Sequence, residues 1–295
     1  MLSADVGIPA GAPDARLRHA ALYASPVREA GRTLVMGIVN LTPDSFFDGG
    51  RLPDPEAARD HALSLVAAGA DILDLGAESS RPGAAPVSAE SEAARLLPVL
   101  ELLQDCPVPL SVDTYHASTA LAALALGASM INDISALRGD PAMARVVAQS
   151  GCPCVLMHMQ GEPRNMQQDP RYDHVVDDIC AFFEARIQYA LDCGIAREQL
   201  WLDPGFGFGK TVAHNLTLLR DLAAFQRFGL PVMIGTSNKS TIGAVLGVEV
   251  NDRLEGTAAT VSAAILAGAQ CIRVHDVRAM ARVARMTEAI VKGAY

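Results

Sequence analysis

The chain contains eight short apolar runs, and almost every run ends in a polar or charged residue. The runs are rich in Val, Ile and Leu and lack the alternation of a half-exposed strand, which is typical of strands buried on both faces of a parallel sheet. They span residues 34–40, 71–77, 109–114, 130–135, 153–158, 200–205, 231–237 and 271–276. Parallel strands of which nearly all end in polar groups predict a (β/α)8 barrel, whose functional site lies at the carboxyl ends of the strands.

Amphipathic segments rich in Ala and Leu separate the runs and are predicted to be helices. They span residues 55–68, 88–104, 116–126, 141–149, 174–193, 214–228, 253–266 and 277–291. Several are followed by glycine, as expected just after a helix end. The absence of an internal linker predicts one domain over residues 31–295, preceded by an N-terminal extension, residues 1–30. A doubly wound sheet is the alternative, but the unbroken series of units favours a closed barrel.

The composition restricts the classes of partner. The formal net charge of -9 argues against a general surface for nucleic acid or anionic membrane. No apolar stretch approaches the roughly 18 residues that a membrane span requires, and the N-terminal segment lacks the apolar core of a signal peptide. The six cysteines show neither a CxxC motif nor metal-ligand spacing, so free thiols in a reducing cytoplasm are expected.

Polar side chains collect at the strand ends and form two chemical sets. They are Asn40, Asp113, Asn132, Asp203, Lys239, Arg273 and His275. The two Asp, Asn132 and the lysine supply acceptors and donors that suit a flat, nitrogen-rich heterocycle. Arg273 and His275 lie two residues apart and point to one side of the sheet, where together with Asn40 they suit a phosphate or diphosphate. Capping of the next helix is the alternative role for any single Asp or Asn, but caps do not require Arg, His or Lys.

The segment DPGFGFGKT after the sixth run has only a superficial likeness to phosphate-binding glycine loops. A Walker A motif fails because Pro204 stands at its first glycine, and a GxGxxG motif fails because Lys210 stands at its last. The glycines instead predict a bent loop that brings Asp203 and Phe208 to the rim. For His158, at the end of the fifth run, the sequence is compatible with either a hydrogen-bonding role or ligand contact.

The connections that follow the first two strands are unusually long and rich in Pro and Gly. They span residues 41–53 and 78–87, and residues 159–172 form a third connection of this kind. A compact domain rarely keeps such loops without a function. We expect them to act as mobile lids over the strand ends.

Eight motifs occur along the chain in a fixed order: MGIVNLTPDSFFDGG, ESSRPGA, SVDT, INDIS, LMHMQG, LDPGFGFGKT, GTSNKS and IRVHDV. Together they resemble the dihydropteroate synthases of the pterin-binding (β/α)8 family, from about Leu34 to the C-terminus. The resemblance implies that 6-hydroxymethyl-7,8-dihydropterin diphosphate condenses with p-aminobenzoate to 7,8-dihydropteroate and diphosphate. It further implies an SN1-like displacement without a protein nucleophile, a requirement for Mg²⁺, and a homodimer.

The resemblance also implies a role for each matching residue. The pterin ring would be held by Asp113, Asn132, Asp203, Lys239 and Arg273. The diphosphate would be held by Asn40, Arg273 and His275, with Asn40 also a ligand of Mg²⁺. The p-aminobenzoate would be held by Phe46, Ser80, Arg81, Pro82, Phe208 and Ser240, of which Ser240 is expected to begin a helix. The predicted catalytic residues are Arg273, His275, Lys239 and Asp113.

Two positions depart from the family pattern. After the seventh run the family usually reads SRKS, whereas this chain reads SNKS. Asn238 therefore removes a cation beside the pterin site while Lys239 remains, and we favour a lineage variant over weakened substrate affinity. The second departure, Phe47 where Ser is common, lies in the first predicted lid and matters less.

Two other functions remain to be weighed against the synthase. A methyltetrahydrofolate:corrinoid methyltransferase shares the barrel and the ring-binding residues, but it handles no diphosphate and needs neither TPDSFFDGG nor SRPGA. A non-catalytic pterin-binding paralogue would be favoured if the charged residues at the site were lost. Arg81, Lys239, Arg273 and His275 are all present, which argues against the paralogue.

Overall fold

Each of the eight predicted apolar runs contains one strand in the computed structural model, which describes residues 31–42, 54–79 and 83–294. The strands are β1 (Leu34–Asn40), β2 (Ile72–Gly76), β3 (Leu110–Asp113), β4 (Met130–Asp133), β5 (Cys154–Met157), β6 (Leu200–Asp203), β7 (Met233–Ile234) and β8 (Cys271–Val274). Nearly all their residues are buried, as expected for a parallel sheet covered on both faces.

The strands form one parallel sheet in the order β6-β5-β4-β3-β2-β1-β8-β7. The two ends of this order meet through a parallel bridge between Leu202 and Val232, beside which the Leu202 N–H donates to the carbonyl of Pro231 at 2.8 Å. The sheet therefore closes on itself, and the predicted (β/α)8 barrel is confirmed over the doubly wound alternative. The barrel interior is filled by Leu34, Met36, Ile72, Met130, Val155, Trp201, Met233 and Cys271.

Helices connect the strands and pack their apolar faces against the outside of the sheet, where the main core lies. They are α1 (Pro55–Ala67), α2 (Ala89–Leu102), α3 (Ala117–Ala125), α4 (Met143–Ser150), α5 (Val175–Asp192), α6 (Val212–Arg220), α7 (Ser240–Leu246), α8 (Leu254–Leu266) and α9 (Val277–Lys292). Side chains such as Ser88 and Asp276 accept backbone N–H bonds at helix starts, and Gly151 ends α4 with a φ of 70°. None of the helices in the described ranges is long and apolar enough to cross a membrane.

The segment 214–228 is divided into two helices, so its prediction as one helix is wrong. The α-helix α6 ends at Arg220, and a 3₁₀ helix follows over Leu222–Phe228. Asp221, at the junction, leaves the helical conformation with φ -103° and ψ 19°, and its carboxylate pairs with Arg220 at 2.6 Å. The 3₁₀ helix still buries Phe225, and for that reason the apolar pattern in the sequence does not reveal the change.

The predicted lids are described only in part. The N-terminal extension, residues 1–30, and residues 43–53 of the first lid lie outside the described residues. In the second lid, the Gly83 N–H donates to the carbonyl of Pro163 in the third long connection at 3.2 Å. The second and third connections therefore touch each other beyond the strand ends, and their mobility stays a prediction.

Candidate functional site

The inward-pointing side chains change from apolar to polar toward the carboxyl ends of the strands. Residues two apart on a strand point to the same side. The buried Ile72, Met130, Trp201 and Cys271 are accordingly followed by Asp74, Asn132, Asp203 and Arg273. Asp113, the last residue of β3, pairs in register with Asn132. A polar layer thus covers the apolar interior at the edge where barrels of this kind carry their functional sites.

Arg273 joins two carboxylates of this polar layer. Its Nε donates to Asp74 Oδ2 at 2.6 Å, and its Nη2 donates to Asp113 Oδ2 at 2.9 Å. Asn132 Nδ2 also donates to Asp74 Oδ2, at 3.0 Å. The guanidinium is therefore fixed from two neighbouring strands, while 20% of the Arg273 side chain stays exposed. A planar cation held in this way suits stacking on a flat ring.

Asp74 is a site residue that the sequence prediction missed. It lies in the middle of β2 rather than at its end, and it is fully buried. The available signal was a single charged residue inside the apolar run ILDLG. Within the described part of the chain, Asp74 Oδ1 has no hydrogen-bond partner. Because buried polar atoms are normally paired, this oxygen marks a position suited to an N–H donor of a ligand.

Two site carboxylates are difficult to ionise. Burial raises the pKa of Asp113; Arg273 opposes this shift, and the nearby negative charge of Asp74 adds to it. Burial likewise raises the pKa of Asp203, against a 2.7 Å hydrogen bond from the Gly205 N–H. Both carboxyl groups therefore lie where water is scarce and where hydrogen bonds to a ligand are strengthened.

The polar residues at the strand ends do not cap the following helices. The N-cap positions of α3, α4 and α6 belong to His116, Ala142 and Thr211. Asp113, Asn132 and Asp203 stay in the polar layer instead. Lys239 does occupy the N-cap position of α7, but its side chain makes no capping bond. Helix capping therefore does not explain this group, and a ligand site does.

The loop after β6 is bent, as its glycines predict, and it places Phe208 against Lys239. Lys239 Nζ lies 4.1 Å from the centroid of the Phe208 ring. Gly207 allows this approach, since its φ is 85° and a Cβ there would lie only 3.1 Å from Lys239 Cδ. The ring is buried against an apolar cluster formed by Ile134, Met157, Met159 and Met166. Phe208 therefore contacts both an apolar cluster and a cation.

The three residues predicted to hold diphosphate come from adjacent strands. Asn40 ends β1, and β1 lies between β8 and β2 in the sheet. His275 follows β8; its Nδ1 lies 3.0 Å from Ser237 Oγ, which also accepts the His275 backbone N–H at 3.2 Å. Arg273, which is predicted to belong to both sets, contacts Asp113 of the predicted ring-binding set.

Asn40 is the residue predicted to hold a metal ion. Among the described residues, no three or more His, Cys, Asp and Glu side chains converge as a ligand group. This donor set does not fit a metal enclosed by protein ligands alone. It fits Mg²⁺, which prefers hard oxygen ligands and usually takes few from the protein, the others coming from phosphate and water.

The predicted p-aminobenzoate site is visible only in part. Phe46, Ser80, Arg81 and Pro82 lie outside the described residues, as does the variant position Phe47. The other two residues are both neighbours of Lys239, Phe208 in space and Ser240 in sequence. Phe208 is under the lysine ammonium, and the exposed Ser240 begins α7, as expected.

The variant residue Asn238 fits the local backbone. Its φ is 57°, in the left-handed region that Asn tolerates better than most residues with a Cβ. Its N–H donates to Thr257 Oγ1 at 3.2 Å, and its carbonyl accepts from Arg253 Nη1 at 2.8 Å. Both hydrogen bonds are made by the backbone of Asn238, so the interpretation as a lineage variant stays a prediction.

His158 has a hydrogen-bonding role. The side chain is buried, and its Nδ1 lies 3.0 Å from the ammonium of Lys210. Burial, followed by the positive charge of Lys210, lowers the pKa of His158 to about 2. The imidazole is therefore neutral and accepts a hydrogen bond inside the protein.

Comparison with known proteins agrees with this geometry. Residues 36–275 match the family model described as pterin binding enzyme. The chain is 46% identical over 256 residues to a dihydropteroate synthase of Escherichia coli (strain K12), covering 86% of this chain and 90% of the relative. It resembles the Yersinia pestis dihydropteroate synthase in a sulfonamide drug complex, with a TM-score of 0.85, 44% identity and coverage of 89% and 95%. It also resembles the Xanthomonas albilineans dihydropteroate synthase with 4-aminobenzoic acid, with a TM-score of 0.83, 45% identity and coverage of 88% and 93%.

Proposed function

The chain belongs to the family of pterin-binding enzymes, and from this premise we propose that it is a dihydropteroate synthase of folate biosynthesis. It condenses 6-hydroxymethyl-7,8-dihydropterin diphosphate with p-aminobenzoate, giving 7,8-dihydropteroate and diphosphate. The observation that carries this proposal is the guanidinium of Arg273, fixed by Asp74 and Asp113 with one side accessible in a layer of hydrogen-bonding groups.

The polar layer supplies what recognition of a pterin ring requires. The ring edge carries N–H donors together with a carbonyl and ring nitrogens. Asp113 and Asp203 accept hydrogen bonds from such donors, and the Lys239 ammonium donates to the acceptors. The amide of Asn132 can both donate and accept. Arg273 and the Gly205 N–H occupy only part of the acceptor capacity of these two carboxyl groups, so a ligand with the matching N–H pattern is favoured over one that lacks it.

Departure of diphosphate is assisted by positive charge and by hydrogen-bond donors. Arg273 carries that charge. In the tautomer in which the Ser237 hydroxyl donates to His275 Nδ1, the imidazole presents its Nε2–H to an anion. The electron-rich dihydropterin stabilises the cation that forms at its methylene carbon. No residue has to attack that carbon, since the aniline nitrogen of p-aminobenzoate does so directly.

The second substrate is proposed to bind beside Lys239. Phe208 offers an aromatic wall for the benzoate ring, and Ser240 offers a hydroxyl for its carboxylate. The family resemblance adds Phe46, Ser80, Arg81 and Pro82, from the first two predicted lids, to this proposed site. Closure of the lids would keep out water, whose attack would destroy the cation.

We further propose that the reaction requires Mg²⁺, with the amide oxygen of Asn40 as its protein ligand. When bound, the metal neutralises part of the diphosphate charge. The position of Asn40 on β1, between the strands that carry Asp74 and Arg273, supports this assignment.

Assembly and location are also proposals. Apolar side chains that are exposed by more than half on α8 and α9 support a homodimer formed through these helices: Leu266, Met286, Ile290 and Val291. All six cysteines are unpaired thiols, which supports the reducing cytoplasm.

Release of diphosphate tests the proposed function. The purified protein, mixed with both substrates and Mg²⁺, is expected to release diphosphate only when p-aminobenzoate is present. Arg273→Ala should nearly abolish release without unfolding the protein, whereas Arg145→Ala, on the exposed side of α4, should leave release unchanged. Tight pterin binding without release would contradict the synthase and favour the non-catalytic paralogue.

A further inference from the structure

Lys210 is a buried cation to which the proposed reaction gives no role. It is one of only three lysines in the chain and is 2% exposed. An ammonium removed from water needs an acceptor for each of its three N–H groups. Lys210 Nζ donates to Gly205 O at 2.9 Å and to Phe208 O at 3.0 Å, and it lies 3.0 Å from His158 Nδ1. The carbonyl of His158 is a fourth, more distant acceptor at 3.5 Å, so each of the three N–H groups has a close partner.

His158 is fixed as one of these acceptors. Because the ammonium donates to Nδ1, the ring hydrogen of the neutral imidazole resides on Nε2. The ring meets Phe182 edge to face, with 4.8 Å between centroids. The lone pair at Nδ1 therefore points at Lys210 before any ligand binds.

The loop held by Lys210 has almost no room to move toward β5. Gly205 and Gly209 both have positive φ, and a Cβ at either would overlap a backbone carbonyl, that of His158 or of Gln160. On the other side, the Tyr172 hydroxyl donates to Gly209 O at 2.7 Å. Backbone packing therefore limits the loop on one face, and hydrogen bonds to its carbonyls decide its remaining freedom.

The same loop carries groups of the proposed site. Phe208 lies under Lys239, and the Gly205 N–H donates to Asp203. We propose that Lys210 is a positioning residue of the p-aminobenzoate site. Its ammonium, held by the acceptor His158, binds the loop carbonyls and so fixes Phe208 beneath Lys239. This inference rests on the proposed function, which assigns Phe208 to the second substrate.

Loss of the ammonium has a specific consequence. The Phe208 carbonyl would lose the donor that Lys210 supplies, and the Gly205 carbonyl would keep only its 3.0 Å bond from the Phe208 N–H, so the loop would shift to pair the Phe208 carbonyl again. The Phe208 ring would move with it. Most contacts to the pterin would persist, because Asp113, Asn132 and Arg273 stand on other strands. Binding of p-aminobenzoate should therefore suffer more than binding of the pterin.

The first experiment compares Lys210→Met with Lys292→Met in steady-state kinetics. We expect Lys210→Met to raise the KM for p-aminobenzoate about tenfold or more and the KM for the pterin diphosphate by no more than about twofold. Lys292, at the exposed end of α9, is the matched control and should change neither. Equal rises in both KM values, or no rise in either, would overturn the positioning role.

A second pair of variants keeps the test decisive if Lys210→Met does not fold. His158→Asn keeps an oxygen acceptor close to the position of Nδ1, whereas His158→Leu removes it. We expect His158→Leu to raise the KM for p-aminobenzoate and His158→Asn to restore it to within about threefold of the unaltered protein. Impairment of both variants alike, or of neither, would contradict the inference.

A third readout does not depend on turnover. A buried, hydrogen-bonded ammonium exchanges its hydrogens slowly, so with lysine labelled in its side chain Lys210 should give a persistent ¹⁵Nζ resonance. Burial lowers the pKa of Lys210 to about 7, so the spectrum is recorded below that pH. The resonance should vanish in Lys210→Met and shift when p-aminobenzoate binds beside the pterin; its absence in the unaltered protein would overturn the inference.

The diphosphate assay separates this inference from the proposed function. No release by the unaltered protein contradicts the proposed function, whatever the spectrum shows. Normal release by the unaltered protein, with unchanged KM values in Lys210→Met, contradicts only the positioning role.

Discussion

The guanidinium of Arg273 is anchored by the carboxylate of Asp74, with 2.6 Å between Nε and Oδ2. The carboxylate is fully buried, whereas Arg273 keeps 20% of its side chain exposed. A charge-assisted bond of this kind fixes the direction of the guanidinium plane as well as its position. The surface offered to a ligand therefore depends on a residue in the middle of a strand.

Asp74→Asn should damage both activity and stability. The guanidinium loses a charge-assisted hydrogen bond worth about 1.5–3 kcal/mol, and we expect a similar loss in the free energy of unfolding. If the guanidinium plane moves, kcat should fall by about tenfold or more. Urea denaturation and diphosphate release measure the two effects. Asp60→Asn, in a surface pair with Arg59, is the control and should change little. An unaltered kcat in Asp74→Asn would contradict the anchoring role.

Asn238 should tolerate replacement by Gly better than by Ala. At a φ of 57° a residue with an ordinary Cβ is strained, so Asn238→Ala should lower the free energy of unfolding by about 1 kcal/mol. Gly accepts this conformation, so Asn238→Gly should change stability less. Thermal unfolding of the two variants measures the difference, and greater destabilisation by Gly would contradict the backbone explanation.

Restoring the usual family residue tests whether Asn238 weakens the site. We expect Asn238→Arg to leave the KM for the pterin diphosphate within about threefold, because Lys239 and the polar layer already hold the ring. A tenfold or greater fall in that KM would show that Asn238 weakens substrate affinity, contrary to the lineage-variant interpretation.

Pterin binding and stability should respond to acid in opposite directions. The pKa of Asp113 is raised in the folded protein, so the folded state binds more protons than the unfolded state between the ordinary and the raised pKa. The contribution of Asp113 to stability therefore increases as the pH falls through this window. Protonation also removes an acceptor for the pterin, so affinity should fall there. Calorimetry with Asp113→Asn as reference measures both trends, and affinity that is constant across the window would contradict the assigned role.

The proposed dimer should dissociate when charge enters its apolar face. Ile290 lies on α9 and is 65% exposed. The substitution Ile290→Lys should shift the mass in solution toward that of a monomer. Leu63, exposed by 40% on α1, gives the control substitution Leu63→Lys, which should leave the mass unchanged. Light scattering measures both, and a monomeric unaltered protein would contradict the homodimer.

The barrel and much of its polar layer were predictable because parallel strands deliver their ends to one edge. Asp113, Asn132 and Asp203 could be found on that ground alone. Asp74 could not, since its importance depends on the side of β2 to which it points and on Arg273 arriving from a strand distant in sequence. A rule that considers only the ends of strands does not identify a residue in the middle of a strand.

Lys210 shows a second limit of the sequence. Its neighbours Gly207 and Gly209 predict a bent loop, but not that the carbonyls of the loop turn inward onto an ammonium. The break at Asp221 was hidden for a similar reason, because α-helical and 3₁₀ packing can bury the same apolar residues. In each case the decisive information is the direction of a backbone group.

The most direct test of the proposed synthase is mass spectrometry of the reaction product. The protein is incubated with Mg²⁺, 6-hydroxymethyl-7,8-dihydropterin diphosphate and ring-labelled p-aminobenzoate. We predict labelled 7,8-dihydropteroate in equal amount to the released diphosphate, and almost none with Arg273→Ala. Release of diphosphate without a labelled product, or no turnover by the folded protein, would contradict the account.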